Sequence, residues 1–145
     1  SESGCPGIAD PGALVVALAH EKGIKVVPLV GPSSVIMALM SSGFNGQQFA
    51  FHGYLPIDKN EKKRRIKELE REVLNSGATQ IFIETPYRND QLFRDLLSYL
   101  NPATKVCVAV NITSDDEWIK TRPVKEWQKD KTEIGKVPAI FLIGK

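Results

Sequence analysis

A chain of 145 residues, 42% apolar and 25% charged, carries enough apolar material for a compact core, which excludes a disordered or fibrous protein. Its 19 Lys and Arg against 17 Asp and Glu leave a net charge of +2, too small an excess to indicate nucleic acid or an anionic membrane surface by itself. No apolar run reaches the roughly 20 residues of a membrane helix and no charged-then-apolar signal opens the chain, so no membrane partner is expected and a cytoplasmic location is the default.

The chain opens on SESGCPGIADPG, a turn-forming stretch with three glycines and two prolines. Such loops ordinarily join a strand to a helix, letting backbone groups approach something bound. Asp10 is placed to cap a helix whose first turn takes Pro11, with Leu14, Val15, Leu18 and Ala19 at helical spacing and Gly23 as its stop. The β-branched run Ile24 to Val30, closed by Gly31-Pro32, reads as a buried parallel strand. Ser33 or Ser34 then starts a helix through Val35, Ile36, Ala38, Leu39 and Met40, ending near Gly43. Residues 1–43 thus read as loop, helix, strand, loop and helix, the second half of a doubly wound layer.

Gly43, Gly46, Gly53 and Pro56 punctuate the aromatic stretch SSGFNGQQFAFHGYLP, where an interdomain connection is expected. Residues 59–75 form a charged helix with an Ile66, Leu69 and Val73 stripe, followed by a strand from Thr79 to Glu84. A helix over about 89–100, a strand Lys105 to Val110, a polar segment through Asp115, Asp116 and Glu117, a basic helix-like stretch Val124 to Lys129 and a strand Pro138 to Ile143 complete the order. The two cysteines, Cys5 and Cys107, read as thiols, and with only His20 and His52 beside them no spacing suggests a metal site.

By spacing alone the opening loop is neither GxGxxG nor a P-loop, and Ser33 or Ser34 reads equally as a helix cap. In combination and in order, SESGCPGIADPG, VPLVGPSSVIMAL, FAFHGYLP and IFIETPYR resemble the tetrapyrrole methylase family of S-adenosylmethionine-dependent methyltransferases. The resemblance covers almost the whole chain. It is closest to the branch that methylates a ribose 2′-hydroxyl of cytidine in 16S ribosomal RNA.

The resemblance implies an α/β fold in which residues 1–48 are the remnant of an amino-terminal, donor-binding domain and 49–145 a carboxy-terminal α/β domain with a mixed sheet. Ser1 would then close a strand lying upstream. It further implies that Gly4, Cys5 and Ile8 contact S-adenosylmethionine, with Ser33 and Ser34 as a second donor contact. Phe51, Gly53, Tyr54, Leu55 and Pro56 match an FxGFLP signature near the cleft. Glu84 and Arg88 match a Glu-x-x-x-Arg pattern, either a structural ion pair or a substrate contact. Lys62, Lys63, Arg64 and Arg65 could meet RNA phosphates or form a solvated helix face.

Two departures bear on the acceptor. Val110, Asn111, Ile112, Thr113 and Ser114 stand where that branch usually has Arg-Glu-Leu-Thr-Lys, keeping Thr113 and the later Glu117; Val137 and Pro138 replace a common Gly-Glu. The expected function is methyl transfer to ribosomal RNA, in contact with the small ribosomal subunit and as a homodimer, with no metal required and the catalytic base unassigned. A tetrapyrrole or other small-molecule acceptor, and a non-catalytic RNA-binding or dimerisation module, are the alternatives. As a piece of such an enzyme the chain alone is expected to be inactive, and residues 1–48 to be covered by a neighbouring chain or poorly ordered.

Overall fold

A computed structural model describes residues 4–145. Ser1, the expected strand end, lies outside the described residues. The fold is α/β around a five-stranded mixed sheet in the order β1-β2-β5-β3-β4, where β1 is Phe49–Tyr54, β2 Thr79–Ile83, β3 Lys105–Val110, β4 Trp118–Pro123 and β5 Ala139–Gly144. β1 and β2 are parallel; β5 runs antiparallel between β2 and β3, and β4 antiparallel along β3.

Alternation along the inner strands feeds two cores, because successive side chains leave a strand on opposite faces. Phe82, Val106, Val108, Phe141 and Ile143 point to one face; Ile81, Cys107, Ala109, Ile140 and Leu142 point to the other. Each large side chain so buried contributes about 1.5–3 kcal/mol. A sheet covered on both faces explains why β2, β3 and β5 read as unbroken apolar runs.

Helix α3 (Lys59–Ser76) and helix α4 (Asn89–Tyr99) cover the first face through Ile66, Leu69, Val73, Leu92, Phe93 and Leu96. Asp58 caps α3, its carboxylate accepting from the Asn60 and Glu61 N–H groups at 3.0 and 2.9 Å, and Gly77 ends the helix in the left-handed region. The short helix α5 (Val124–Trp127) adds Trp127, which stands edge-on to Phe93 and donates from Nε1 to the Val106 carbonyl at 3.0 Å. Helix α2 (Ser34–Ser42) covers the second face with Val35, Ala38 and Leu39.

The charged face of α3 is not simply solvated. Lys62 is buried against Asp95 at 3.1 Å, Arg64 and Arg65 pair with Glu68, and Lys63 lies over the Tyr99 ring.

Four expectations are corrected. Residues 24–30 belong to no strand, because a β-branched run needs a neighbour for its ladder and none of the five strands pairs with it. Leu29 and Val30 stand fully exposed as a result. Helix α1 (Ala13–Glu21) starts from Gly12 rather than Asp10 and buries no residue. The aromatic stretch read as a connection contains edge strand β1, and edge strand β4 lies between the polar segment and the Val124 to Lys129 stretch, where no element is expected. Among the described residues, no helix is long and apolar enough to cross a membrane.

Candidate functional site

Because β5 is antiparallel to both β2 and β3, the strands β1, β2 and β3 run in one direction and end together at Tyr54, Ile83 and Val110. A cleft of about 600 Å3 opens beside these carboxyl ends. Ligands bind at that end of strands in open α/β sheets, and the volume falls in the roughly 300–1,000 Å3 range of small-molecule sites.

One wall is the opening loop. Gly4 has φ 121°, and a Cβ there would lie 2.4 Å from the Pro32 carbonyl oxygen, so only glycine lets the two loops touch. The Cys5 N–H donates to Pro32 at 3.2 Å and its Sγ to the Gly31 carbonyl at 3.2 Å, while the Ile8 N–H returns to Cys5. Cys5 and Ile8 therefore line the cleft, with Gly4 behind them as the spacer. Ser33 and Ser34 line it as well. Ser33 is the residue before α2, with extended backbone angles, yet its hydroxyl makes no capping bond. The first-turn N–H groups of α2 thus have no side-chain acceptor among the described residues.

The opposite wall carries Glu84, whose side chain is 1% exposed. Its Oε1 accepts from the Thr85 N–H at 2.7 Å and from Arg88 Nε and Nη2 at 3.0 and 2.8 Å. Oε2 has no hydrogen-bond partner among the described residues. Arg88 is not on the lining; it reaches the cleft only through Glu84. The expected Glu-Arg ion pair is therefore present, and one member of it faces the cavity.

The loop after β3 forms the third wall. The Asn111 N–H donates to the Pro138 carbonyl at 3.0 Å, its amide to Asp116 at 2.6 Å, and Glu117 accepts from the Thr113 N–H at 2.7 Å. Asn111 and Thr113 have φ of 49° and 74°. With Ala9 at 55°, these are the non-glycine residues of positive φ among the described residues, and all three line the cleft. Side chains held in this region cost energy that surrounding contacts must supply, and such positions cluster at working sites.

The charge of the cleft is one-sided. Among the described residues Asp10 and Glu84 line it, and no Lys, Arg or His does. Asp10 was read as a helix cap; its place on the lining depends on loop geometry, for which the sequence carries no signal. Phe51, Ile83, Val35 and Ile140 supply apolar wall. Away from the cleft, burial pushes the Cys107 thiol up, only partly opposed by a hydrogen bond with Thr121. Among the described residues no three His, Cys, Asp or Glu side chains gather as metal ligands.

Comparison with known proteins gives three findings. Residues 1–128 match the family described as tetrapyrrole (corrin/porphyrin) methylases. The chain is 36% identical over 126 residues to ribosomal RNA small subunit methyltransferase I of Vibrio cholerae, covering 87% of this chain and 42% of that protein. With the protein of the same name from Escherichia coli O157:H7 it is 32% identical, covering 99% and 50%. The chain spans about half the length of the curated relatives it matches. Among solved structures it resembles the methyltransferase CobJ, with TM-score 0.62, 16% identity and coverage of 98% of this chain and 62% of that one. It also resembles uroporphyrin-III C-methyl transferase from Thermus thermophilus, solved with S-adenyl homocysteine, with TM-score 0.55, 16% identity and coverage of 98% and 63%. At that identity the likeness concerns the fold.

Proposed function

Since the chain belongs to the tetrapyrrole (corrin/porphyrin) methylase family, we propose that it carries the reaction cleft of an S-adenosylmethionine-dependent methyltransferase acting on a ribose 2′-hydroxyl of 16S ribosomal RNA. The observation that supports it most is the convergence of Cys5, Ile8, Ser33, Ser34 and Glu84 on one cavity at the ends of β1, β2 and β3. Relatives over a third identical carry the ribosomal RNA name. On this reading residues 1–48 belong to the donor-binding domain and 49–145 to the carboxy-terminal domain. The small ribosomal subunit is the partner, the working form is a homodimer and the location cytoplasmic.

The residues fit the donor. It is a cation bearing a carboxylate, hydroxyls and an apolar-faced base, and the cleft offers a match for each. Asp10 and Glu84 suit positive charge in a cavity lined by no basic side chain. The first turn of α2, without a side-chain cap among the described residues, and the hydroxyls of Ser33 and Ser34 suit a carboxylate and sugar hydroxyls. Ile8, Val35, Phe51 and Ile140 suit the base and keep water out.

When bound, S-adenosylmethionine supplies a methyl group on sulfonium, activated for in-line displacement. What the chain contributes is orientation. Glu84, fixed through Oε1 by Arg88 and Thr85, has Oε2 free to accept a hydroxyl of the acceptor and hold it in line. The hydroxyl's proton leaves to a base or to water in the transition state. Glu84 is a positioning group in this scheme.

A second reading, a tetrapyrrole or other small-molecule acceptor, is favoured by Asn111 and Ser114 on the lining, where the ribosomal RNA branch usually has charged residues. The test is calorimetry of S-adenosylmethionine and S-adenosylhomocysteine on this chain and on one extended at its amino end to its relatives' length, followed by transfer of labelled methyl to small ribosomal subunits. Donor binding by the extended chain with label on 16S RNA is expected. Donor binding without RNA labelling points to the small-molecule acceptor. No donor binding by a folded extended chain overturns the methyltransferase reading.

A further inference from the structure

Outside the cavity, the cleft rim carries aromatic and cationic side chains that packing does not require. Tyr87 is 80% exposed and Tyr54 59%. Tyr54 ends β1 and pairs in register with Ile83, the last residue of β2. Tyr87 lies in the single 3-10 turn Pro86–Arg88 that follows β2, next to Pro86, a lining residue. Both tyrosines thus stand at the carboxyl ends of the strands that make the cleft.

A cation accompanies the more exposed ring. Lys136 Nζ lies 5.3 Å from the centroid of Tyr87. An exposed pair of this kind adds little to folding, yet the backbone carrying Lys136 is pinned on both sides. Asp90 Oδ1 accepts from the Ile134 and Gly135 N–H groups at 2.7 and 3.3 Å, and Asn89 Nδ2 donates to the Gly135 and Val137 carbonyls at 3.3 and 2.7 Å. Asn89 is fully buried. These bonds hold Lys136 over Tyr87, two residues from the lining residue Pro138.

We propose that Tyr87 and Lys136, with Tyr54 at the end of the adjoining strand, seat the unpaired nucleotides that flank the methyl acceptor in a single-stranded stretch of RNA. A base stacks on the open face of the Tyr87 ring and the Lys136 ammonium meets a phosphate, the pairing of ring and cation that single-stranded RNA binders use. This rests on the RNA reading above and deepens it. A small acceptor that fits within the cleft has no use for groups outside it. A polymer that sends one nucleotide into the cleft must leave the neighbours on its rim.

The test is fluorescence anisotropy with a labelled, unstructured RNA oligonucleotide on the chain and on Tyr87→Ala, Tyr87→Phe and Lys136→Gln, with thermal melts to verify folding. Tyr87→Ala should weaken binding about tenfold and Tyr87→Phe leave it nearly unchanged, since the ring does the stacking. Lys136→Gln should reduce the slope of log affinity on log salt by about 0.7, the loss of one phosphate contact on a single strand. RNA binding that is equal in the parent, Tyr87→Ala and Lys136→Gln overturns this assignment and leaves the RNA reading standing. A parent that binds S-adenosylhomocysteine but no RNA overturns both the assignment and the RNA acceptor. Tyr87→Phe as weak as Tyr87→Ala also overturns it, since the hydroxyl rather than the ring would then be the contact.

Discussion

Glu84 shows how one side chain serves packing and the cleft together. Its carboxylate is almost wholly buried, and two of its three hydrogen bonds come from the fork of Arg88. Arg88→Ala would leave a buried charge with one backbone donor, and a loss of about 1–3 kcal/mol in urea unfolding is expected. Arg88→Lys should recover only part, because an ammonium cannot reproduce the two bonds that Nε and Nη2 direct onto Oε1. If Arg88 acted by touching substrate alone, unfolding would not change. Glu70 makes a second case away from the cleft. Burial raises its carboxyl, but bonds from the Thr104 hydroxyl, the Asn101 N–H and Lys67 outweigh that, and the folded value lies below the usual one. A depressed carboxyl adds stability above its unfolded value of about 4.3, and that stability is lost as pH falls through the folded value. Glu70→Gln should therefore be less stable than the parent at neutral pH, with the gap closing in strong acid, as urea midpoints at the two pH values would show.

At the scale of elements, α2 connects the core to the cleft. Ala38 is completely buried against the sheet, and the start of the same helix presents Ser34, with Ser33 just before it, to the cavity. Ala38→Leu overpacks that contact at a cost of about 1–3 kcal/mol. By lifting the helix it should also weaken S-adenosylhomocysteine binding in calorimetry. Elements with both local and tertiary reasons to form were legible in the sequence. The Ile66, Leu69 and Val73 stripe marked α3, and β2, β3 and β5 stood out as apolar runs because both sheet faces are covered. Edge strands were not legible. β1 is broken by a register irregularity between Phe51 and Tyr54, with Gly53 at φ 63°, and β4, WIKTRP, packs only partly. The run 24–30 failed in the opposite sense, having the composition of a strand and no partner. Of the cleft, Cys5, Ile8, Ser33, Ser34 and Glu84 came from ordered motifs, whereas Asp10 and the Tyr87 and Lys136 pair depend on contacts between distant residues.

Across the whole molecule, order is unevenly anchored. Helix α1 buries nothing: Leu14 is 88% and Val15 73% exposed. With residues 24–30 it presents an apolar surface larger than scattered exposure explains. Native-state hydrogen exchange should find the α1 amides nearly unprotected and those of β5 and β3 among the slowest, since protection follows buried contact. Protection in α1 equal to that in α3 would show that the apolar surface is covered in solution. The strand order carries a different consequence, for the time course of assembly. β5 lies in the middle of the sheet, between β2 and β3, although it follows both in the chain. Before Ala139 is made, β1 and β2 can pair, and so can β3 and β4, but the two ribbons have nothing between them. Pairings this distant in sequence form slowly. A nascent chain therefore holds two separate halves with exposed strand edges until residues 139–144 arrive, and that interval is when it most needs protection from its neighbours.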